Sequence, residues 1–509
     1  MIIDVIIIML GCGCMPKKQV AGSDDFSELI DSDLVVQYEV DLKKHFGFSK
    51  LRPCQAATLS VLSRKQDCLT VMPTGGGKSL CYLMPALSGL GLVLVISPLI
   101  ALIRDQVRKY RKMGIACAAF DSMQSMDERS GVWRELESGK VRLLYLSPER
   151  LAIDSFREKL SRIAAVSLVA VDEAHCISQW GGHFRPEYRK LGSYLDSFAG
   201  VQKLALTATA TQKVKSDIAA SLGLIDPTVV VDRYLRDNLK IRVVRCKSYA
   251  DQMNDLLQSV LSSKGQGIVY APTRKKVDEI YSALQRAKIT CQRYHAGMRH
   301  DGRNKSQQDF LNGKAQVIVA TNAFGMGIDK PDIRFVFHAG MPPSLENYVQ
   351  EIGRAGRDGK DAKCYLFYTG RDYHLQKFIV DKSFPDTAVL KKSYSEIERL
   401  VEDYSVRNES EIFENLQQKF LGEDFDATAI MRLFYKEGFI VKSESSAMDW
   451  NMGTMNAQIS LNQNKDSMTE FWQQYPSRKE EQMQKLRHIR DYVNAGENRY
   501  EVIERYFDI

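Results

Sequence analysis

Four short apolar runs recur from Asp41 onward: Leu92–Ser97, Val141–Leu146, Val166–Val171 and Lys203–Leu206. Runs of this length, with little polar alternation, suit strands buried on both faces. Longer segments mixing polar and apolar residues separate them and leave room for crossover helices. The chain is therefore expected to build a parallel sheet covered by helices. The pattern pauses over Ile225–Asn238 and then restarts. Gly267–Tyr270, Gln316–Ala320, Ile333–His338 and Ala362–Tyr368 predict the strands of a second α/β unit, with a linker at Asp232–Asn238.

After Asp372 the character changes to amphipathic helices. Ile412–Phe420 and Ala427–Glu437 predict helices, Gly438 breaks the second, and Phe439–Lys442 with Gln458–Leu461 predict two strands. Helix, helix and hairpin fit a winged helix or a general helical domain. Ser477–Asn494 predicts a further helix with a solvated, mixed-charge face. A chain of 509 residues is long enough for about three domains. The expected division is an N-terminal extension at 1–38, poorly ordered, α/β units at 39–233 and 234–372, and a mainly helical region at 373–509.

A net charge of +7 permits nucleic-acid binding, but any groove for it must come from local clustering. Ten cysteines are scattered, with only Cys12 and Cys14 close together, which predicts a reduced intracellular chain without a disulfide framework. Met1–Leu10 is apolar but carries Asp4. It is too short to span a bilayer and lacks the basic start of a signal peptide, so no membrane association is expected. Leu10-Gly11-Cys12 resembles a lipoprotein cleavage site. The plainer reading is an upstream start codon, with Met15 as the working initiator and Gly22–Asp33 as a polar, acidic lead-in.

Asp67–Met72 predicts a strand, Pro73-Thr74-Gly75-Gly76-Gly77-Lys78-Ser79 a loop, and Leu80–Leu83 the start of a helix. Three glycines let backbone N–H groups close around phosphate oxygens, and the helix N-terminus favours an anion. Lys78 is expected to reach the β- and γ-phosphates and Ser79 to hold Mg²⁺. The strict phosphate-loop pattern needs glycine at 72, where this chain has Met72. Asp172-Glu173-Ala174-His175 comes directly after the run Val166–Val171. There Asp172 suits Mg²⁺, directly or through water, and Glu173 suits orienting or deprotonating the attacking water. Thr207-Ala208-Thr209-Ala210-Thr211 closes another strand, and its hydroxyls either couple two sites or form an ordinary turn. In Gln350–Gly359, Arg354 and Arg357 lie three apart among glycines, a spacing that suits a cationic clamp on a γ-phosphate. Trp180, His183, Phe184 and Arg185 stand close behind the acidic box and suit stacking on unpaired bases.

With these motifs in this order, the chain resembles the RecQ-type DNA helicases of superfamily two over about Asp41–Tyr368. Phe46-Gly47-Phe48 with Leu51-Arg52-Pro53-Cys54-Gln55 is similar to the motif that reads adenine in that family. The resemblance implies that Phe48 stacks on the base while Arg52 and Gln55 contact it. It implies two tandem RecA-like domains with ATP between them, bound by Thr74, Gly75, Gly76, Gly77, Lys78 and Ser79. Lys78, Asp172, Glu173, Gln350, Arg354 and Arg357 match its ATPase positions, and Asp329 its nucleotide-sensing acid. His175 and Gln350 match positions that link hydrolysis to domain movement. The implied activity is ATP-driven 3′-to-5′ unwinding of DNA in repair and recombination. Single-stranded and forked DNA, single-strand-binding proteins and repair proteins are the implied partners. The implied location is nucleoid-associated in the bacterial cytoplasm, or nuclear in a eukaryote.

Two departures bear on that reading. The family's aromatic-rich loop usually reads Gln-Trp-Gly-His-Asp-Phe-Arg-Pro-Glu-Tyr, closing here at Tyr188, whereas Gly182 and His183 stand at the histidine and aspartate positions. Many family members also carry a four-cysteine zinc module, and no cysteine follows Cys364, so a cysteine-ligated zinc is not expected. The alternatives are an ATP-driven translocase or RNA-directed helicase without productive DNA unwinding, or a nonenzymatic DNA-binding scaffold.

Overall fold

The computed structural model describes residues 18–21, 26–89, 91–121, 124–178, 188, 190–325, 328, 330–402, 408–420, 426–442, 459–461, 465–496 and 498–507. The chain divides into two units, Met1–Thr369 with Tyr492–Ile509, and Gly370–Asp491.

The first unit holds two parallel sheets. One comprises β1 (Lys18–Ala21), β2 (Cys68–Val71), β3 (Leu92–Ile96), β4 (Cys117–Phe120), β5 (Leu143–Leu146), β6 (Val166–Val171), β7 (Gln202–Thr207) and β8 (Thr228–Val231), in the order β1-β8-β2-β7-β6-β3-β5-β4. Every pairing is parallel. The other comprises β9 (Leu239–Arg245), β10 (Gln266–Tyr270), β11 (Cys291–Tyr294), β12 (Val317–Ala320), β13 (Ile333–Ala339) and β14 (Ala362–Tyr368), in the order β11-β12-β10-β13-β14-β9, again parallel. The central strands β2, β3 and β5 are buried along their whole length, as continuous apolar runs demand. These are two RecA-like layers: helices cover sheets whose central strands end at one edge in loops rather than in hairpins.

The N-terminal extension differs from expectation. β1 pairs with β8 and lengthens the first sheet, and Phe26 and Leu29 are buried in its core. Helix Ser32–Phe46 begins ahead of the expected boundary at 39, with the Asp31 side chain accepting from Leu34 N at 3.1 Å to cap it. Residues 1–17 and 22–25 lie outside the described residues. Strand β8 also falls inside the stretch expected to be a pause, because Thr228–Val231 is a fully buried run of only four residues.

In the second unit, helices Thr387–Glu402, Glu409–Lys419 and Ala427–Lys436 precede the antiparallel pair β15 (Ile440–Lys442) and β16 (Ile459–Leu461). Ile397, Ile412, Leu416, Ile430, Phe434 and Phe439 form its core. The helix expected from Ser477 starts at Lys465 instead and runs through Pro476 to Asn494. Phe471 and Tyr475, both buried, hold the turns ahead of the proline in place. Among the described residues, no helix is long and apolar enough to cross a membrane.

The expected region 373–509 is not one body, because its last helix belongs to the first unit. Arg245 donates to the carbonyls of Val493 (3.3 Å) and Asn494 (3.0 Å). In helix Arg499–Phe507, Tyr500 OH donates to the carbonyl of Leu239, Tyr506 OH bonds Glu346 at 2.8 Å, and Phe507 stacks on Tyr234 at 4.2 Å. Leu239 and Tyr234 bracket the connection between the two sheets, so this helix braces that connection.

Candidate active site

Strands β2, β7 and β6 are neighbours, so the segments leaving their carboxyl ends must lie side by side. After β2 comes the loop 73–79, after β6 the acidic box, and after β7 the run Thr207–Thr211. Met72 N donates to Thr207 O at 3.0 Å and Asp172 N to Ile96 O at 2.9 Å, fixing the register at the strand ends.

The loop is shaped by two glycines in the left-handed region, Gly75 (φ 78°) and Gly77 (φ 87°). A Cβ at Gly77 would stand 2.4 Å from Gln55 Nε2 and would have to adopt φ 87°, so a side chain there would both strain the backbone and displace the Gln55 amide. Gln55 is 2% exposed. Its amide nitrogen donates to the carbonyls of Gly76 and Gly77, both at 3.1 Å, and its oxygen accepts from Arg52 N at 2.9 Å. The amide expected to contact adenine is thus occupied in holding the loop, and Arg52 Nη1 reaches the Gly75 carbonyl at 3.4 Å. Phe48 is 60% exposed on the rim of the same cavity, which suits an aromatic face awaiting a flat ligand. Phe48→Ala is expected to raise the KM for ATP by an amount matching the loss of about 1–3 kcal/mol of stacking. Turnover at saturating ATP should stay unchanged, and steady-state kinetics on the two proteins checks it.

Lys78 Nζ donates to the Met72 carbonyl at 3.2 Å, across the mouth of the loop. Ser79 caps helix Leu80–Leu87 through its backbone while its hydroxyl makes no capping bond. Glu173 sits in the left-handed region (φ 49°), a conformation non-glycine residues hold only under strain. Its Oε2 is buried with no hydrogen-bond partner, 3.4 Å from His175 Nδ1. Burial, with the Glu173 charge second, pushes the Asp172 carboxyl up to about 7, while Lys78 opposes the shift. Two crowded carboxylates and a spare hydroxyl beside a phosphate loop are the donor set Mg²⁺ takes when substrate phosphates complete its shell. The residues therefore fit Mg²⁺ with ATP. His175 Nδ1 also meets Thr207 Oγ1 at 3.0 Å, and Thr207 Oγ1 donates to Thr209 O at 3.1 Å, joining acidic box and threonine run in one buried chain.

The other lobe contributes from the turn after helix Leu345–Ile352. Arg354 is buried and donates to the Gly325 carbonyl, and Arg357 Nη1 donates to Ile328 O at 2.8 Å. Gln350, Arg354 and Arg357 line a single cavity of about 470 Å³ together with Phe48, Arg52, Gln55, the loop 74–79, Asp172, Glu173 and His175. Asp329, Trp180, Gly182, His183, Phe184 and Arg185 lie outside the described residues. Two further residues serve the site, Tyr188 from the end of the aromatic-rich loop and Arg236, which no motif flags. Tyr188 OH donates to the Asp172 carbonyl at 3.2 Å, and Arg236 bonds the Thr74 carbonyl from the connection between the sheets.

Tandem RecA-like lobes with a phosphate loop and acidic box on one, and paired arginines on the other, define a superfamily two helicase motor. Residues 52–217 match the DEAD/DEAH box helicase model and residues 251–359 the helicase conserved C-terminal domain. The chain belongs to the RecQ family of helicases. It is 42% identical over 344 residues to the ATP-dependent DNA helicase RecQ of Bacillus subtilis, covering 67% of this chain and 58% of that one. It is 37% identical over 395 residues to the probable ATP-dependent DNA helicase RecS of the same organism, covering 77% and 78%. The chain thus spans little more than half the length of the RecQ enzyme. Among solved structures, the helicase Lhr of Mycobacterium smegmatis bound to ssDNA and AMP-PNP shares the fold, with a TM-score of 0.53, 19% identity, and coverage of 84% and 60%.

Proposed function

We propose that this chain is an ATP-dependent 3′-to-5′ DNA helicase that couples ATP hydrolysis to single-strand translocation and duplex unwinding in repair and recombination. The observation that carries it is the single cavity in which phosphate loop, acidic box and paired arginines meet. Lys78 exchanges the Met72 carbonyl for phosphate oxygens. Glu173 Oε2 accepts the proton of the attacking water or orients it. Arg354 and Arg357 stabilise charge on the transferred group. Mg²⁺, held by Ser79 and Asp172, would offset charge on the β- and γ-phosphates. Through Thr207, His175 passes the state of Glu173 to the threonine run. Trp180, Phe184 and Arg185 supply strand contacts, with Gly182 and His183 tuning the coupling. Asp329 senses nucleotide, and Phe48 and Arg52 set the preference for adenine, while Gln55 holds the loop they face.

Single-stranded and forked DNA are the expected substrates, with single-strand-binding and repair proteins as partners. The place of action is the bacterial nucleoid or the eukaryotic nucleus. No cysteine-ligated zinc enters this reading.

The test is an unwinding assay on a fork with a 3′ tail, beside a fork with a 5′ tail and an RNA duplex. The expected result is ATP-dependent unwinding of the 3′-tailed DNA alone, lost in Lys78→Ala. Preference for the RNA duplex would favour an RNA-directed helicase. ATP turnover without strand separation would favour a translocase, and no turnover at all a scaffold.

A further inference from the structure

Arg236 lies in the connection between β8 and β9, outside the phosphate loop, the acidic box and the arginine-bearing turn. Its Nη1 donates to the carbonyl of Thr74 in the phosphate loop at 2.5 Å. Its Nη2 donates to the carbonyls of Gly353, at 3.1 Å, and Ala355. Those two carbonyls flank Arg354. One guanidinium therefore joins the loop of one lobe to the arginine-bearing turn of the other. The junction is tight: a Cβ at Gly75 would stand 2.6 Å from Arg236 Nη1 and 2.8 Å from Arg357 Cγ, and a Cβ at Gly353 would stand 2.9 Å from Thr74 Cβ.

Burying a cation against carbonyls alone, beside a second guanidinium, is costly. Burial and the Arg357 charge lower the Arg236 pKa to about 10, so it remains charged near neutrality. Its Nε is buried without a hydrogen-bond partner. The side chain does not line the nucleotide cavity. On the other side, its backbone belongs to the connection braced by Tyr500 and Phe507. A costly cation that reaches three carbonyls in two lobes, and avoids the cavity, is placed to set a distance rather than to touch a ligand.

Resting on the ATPase reading, we propose that Arg236 is a positioning residue for ATP hydrolysis: it fixes the turn carrying Arg354 and Arg357 against the phosphate loop. The fork geometry matters, because an ammonium cannot hold three carbonyls in one plane.

In the full chain, Arg236→Ala is expected to lower kcat for DNA-stimulated ATP hydrolysis by about 100-fold, the scale of a misplaced catalytic group. Affinity for a fluorescent ATP analogue should stay within about threefold, well under the tenfold that 1.4 kcal/mol represents. Arg236→Lys, the fallback should the Ala variant not fold, should remain about fivefold or more below the parent in kcat. In an Arg357→Ala background, measured under single turnover, the loss of Arg236 should cost little further, because the two act as a unit. Hydrogen exchange supplies a readout without activity: in Arg236→Ala, peptides covering 72–79 and 350–359 should lose protection together. A parent protein that hydrolyses no ATP would sink the proposed helicase function, and exchange would still decide the role of Arg236. Unchanged kcat in Arg236→Lys, a weakened affinity with kcat intact, multiplying losses in the double variant, or unchanged exchange in both peptides would each overturn the positioning role.

Discussion

Arg357→Ala is expected to cut ATP turnover by about 10³- to 10⁵-fold, the range spanned by arginine fingers in nucleotide hydrolases. Arg357 Nη1 is tied to the Ile328 carbonyl, and its stem passes Gly75 so closely that only a glycine fits there. The guanidinium is thereby carried to the wall of the cavity occupied by the phosphate loop. A cation delivered by the second lobe acts on transferring charge only when the lobes close. Its loss should therefore strike kcat and leave nucleotide binding near its original value. Stopped-flow binding of an ATP analogue, beside steady-state hydrolysis with and without single-stranded DNA, separates the two. An equal loss in affinity and turnover would mean that Arg357 grips the ground state and is no finger.

The second large effect falls on Glu173. Glu173→Gln keeps the volume and hydrogen-bonding reach of the side chain but removes its capacity to take a proton. Turnover is expected to fall by about 10²- to 10⁴-fold, the usual contribution of a positioned general base. Glu173 is held at φ 49° with one carboxylate oxygen buried and unbonded, a strained arrangement that the proposed role as base would account for. The glutamine variant should still bind ATP and, with its γ-phosphate retained, hold DNA in the ATP-bound state. Single-turnover hydrolysis and a DNA-binding titration in ATP check both halves. Near-normal hydrolysis in Glu173→Gln would return the role of base to another residue.

Much of the first lobe is legible because its central strands are buried on both faces and read as unbroken apolar runs. Strands at the margins are not. β1 is Lys-Gln-Val-Ala and β11 is Cys-Gln-Arg-Tyr, short and polar because an edge strand has one side to water. β9, Leu-Lys-Ile-Arg-Val-Val-Arg, alternates for the same reason and blends into the connection before it. Pro476 looks like a helix boundary, yet the packing of Phe471 and Tyr475 outweighs it. The candidate site follows the same division. Lys78, Asp172, Glu173, Arg354 and Arg357 carry their chemistry in residue type and spacing. Gln55 does not disclose that its amide serves the loop, and Arg236 carries no local pattern at all. Its role exists only through carbonyls more than a hundred residues away in either direction.

The helix that braces the connection between the lobes has a consequence for biogenesis. The hydroxyl of Tyr500 meets a carbonyl 261 residues earlier in the chain. Contacts of such sequence separation form late, since the closure entropy of a long loop must be met before they repay it. On the ribosome, both lobes and the whole helical unit emerge before Tyr500 and Phe507 do. The lobes thus spend an interval assembled but unbraced. A newly made motor gains this support only after every residue of its ATP cavity has been synthesised.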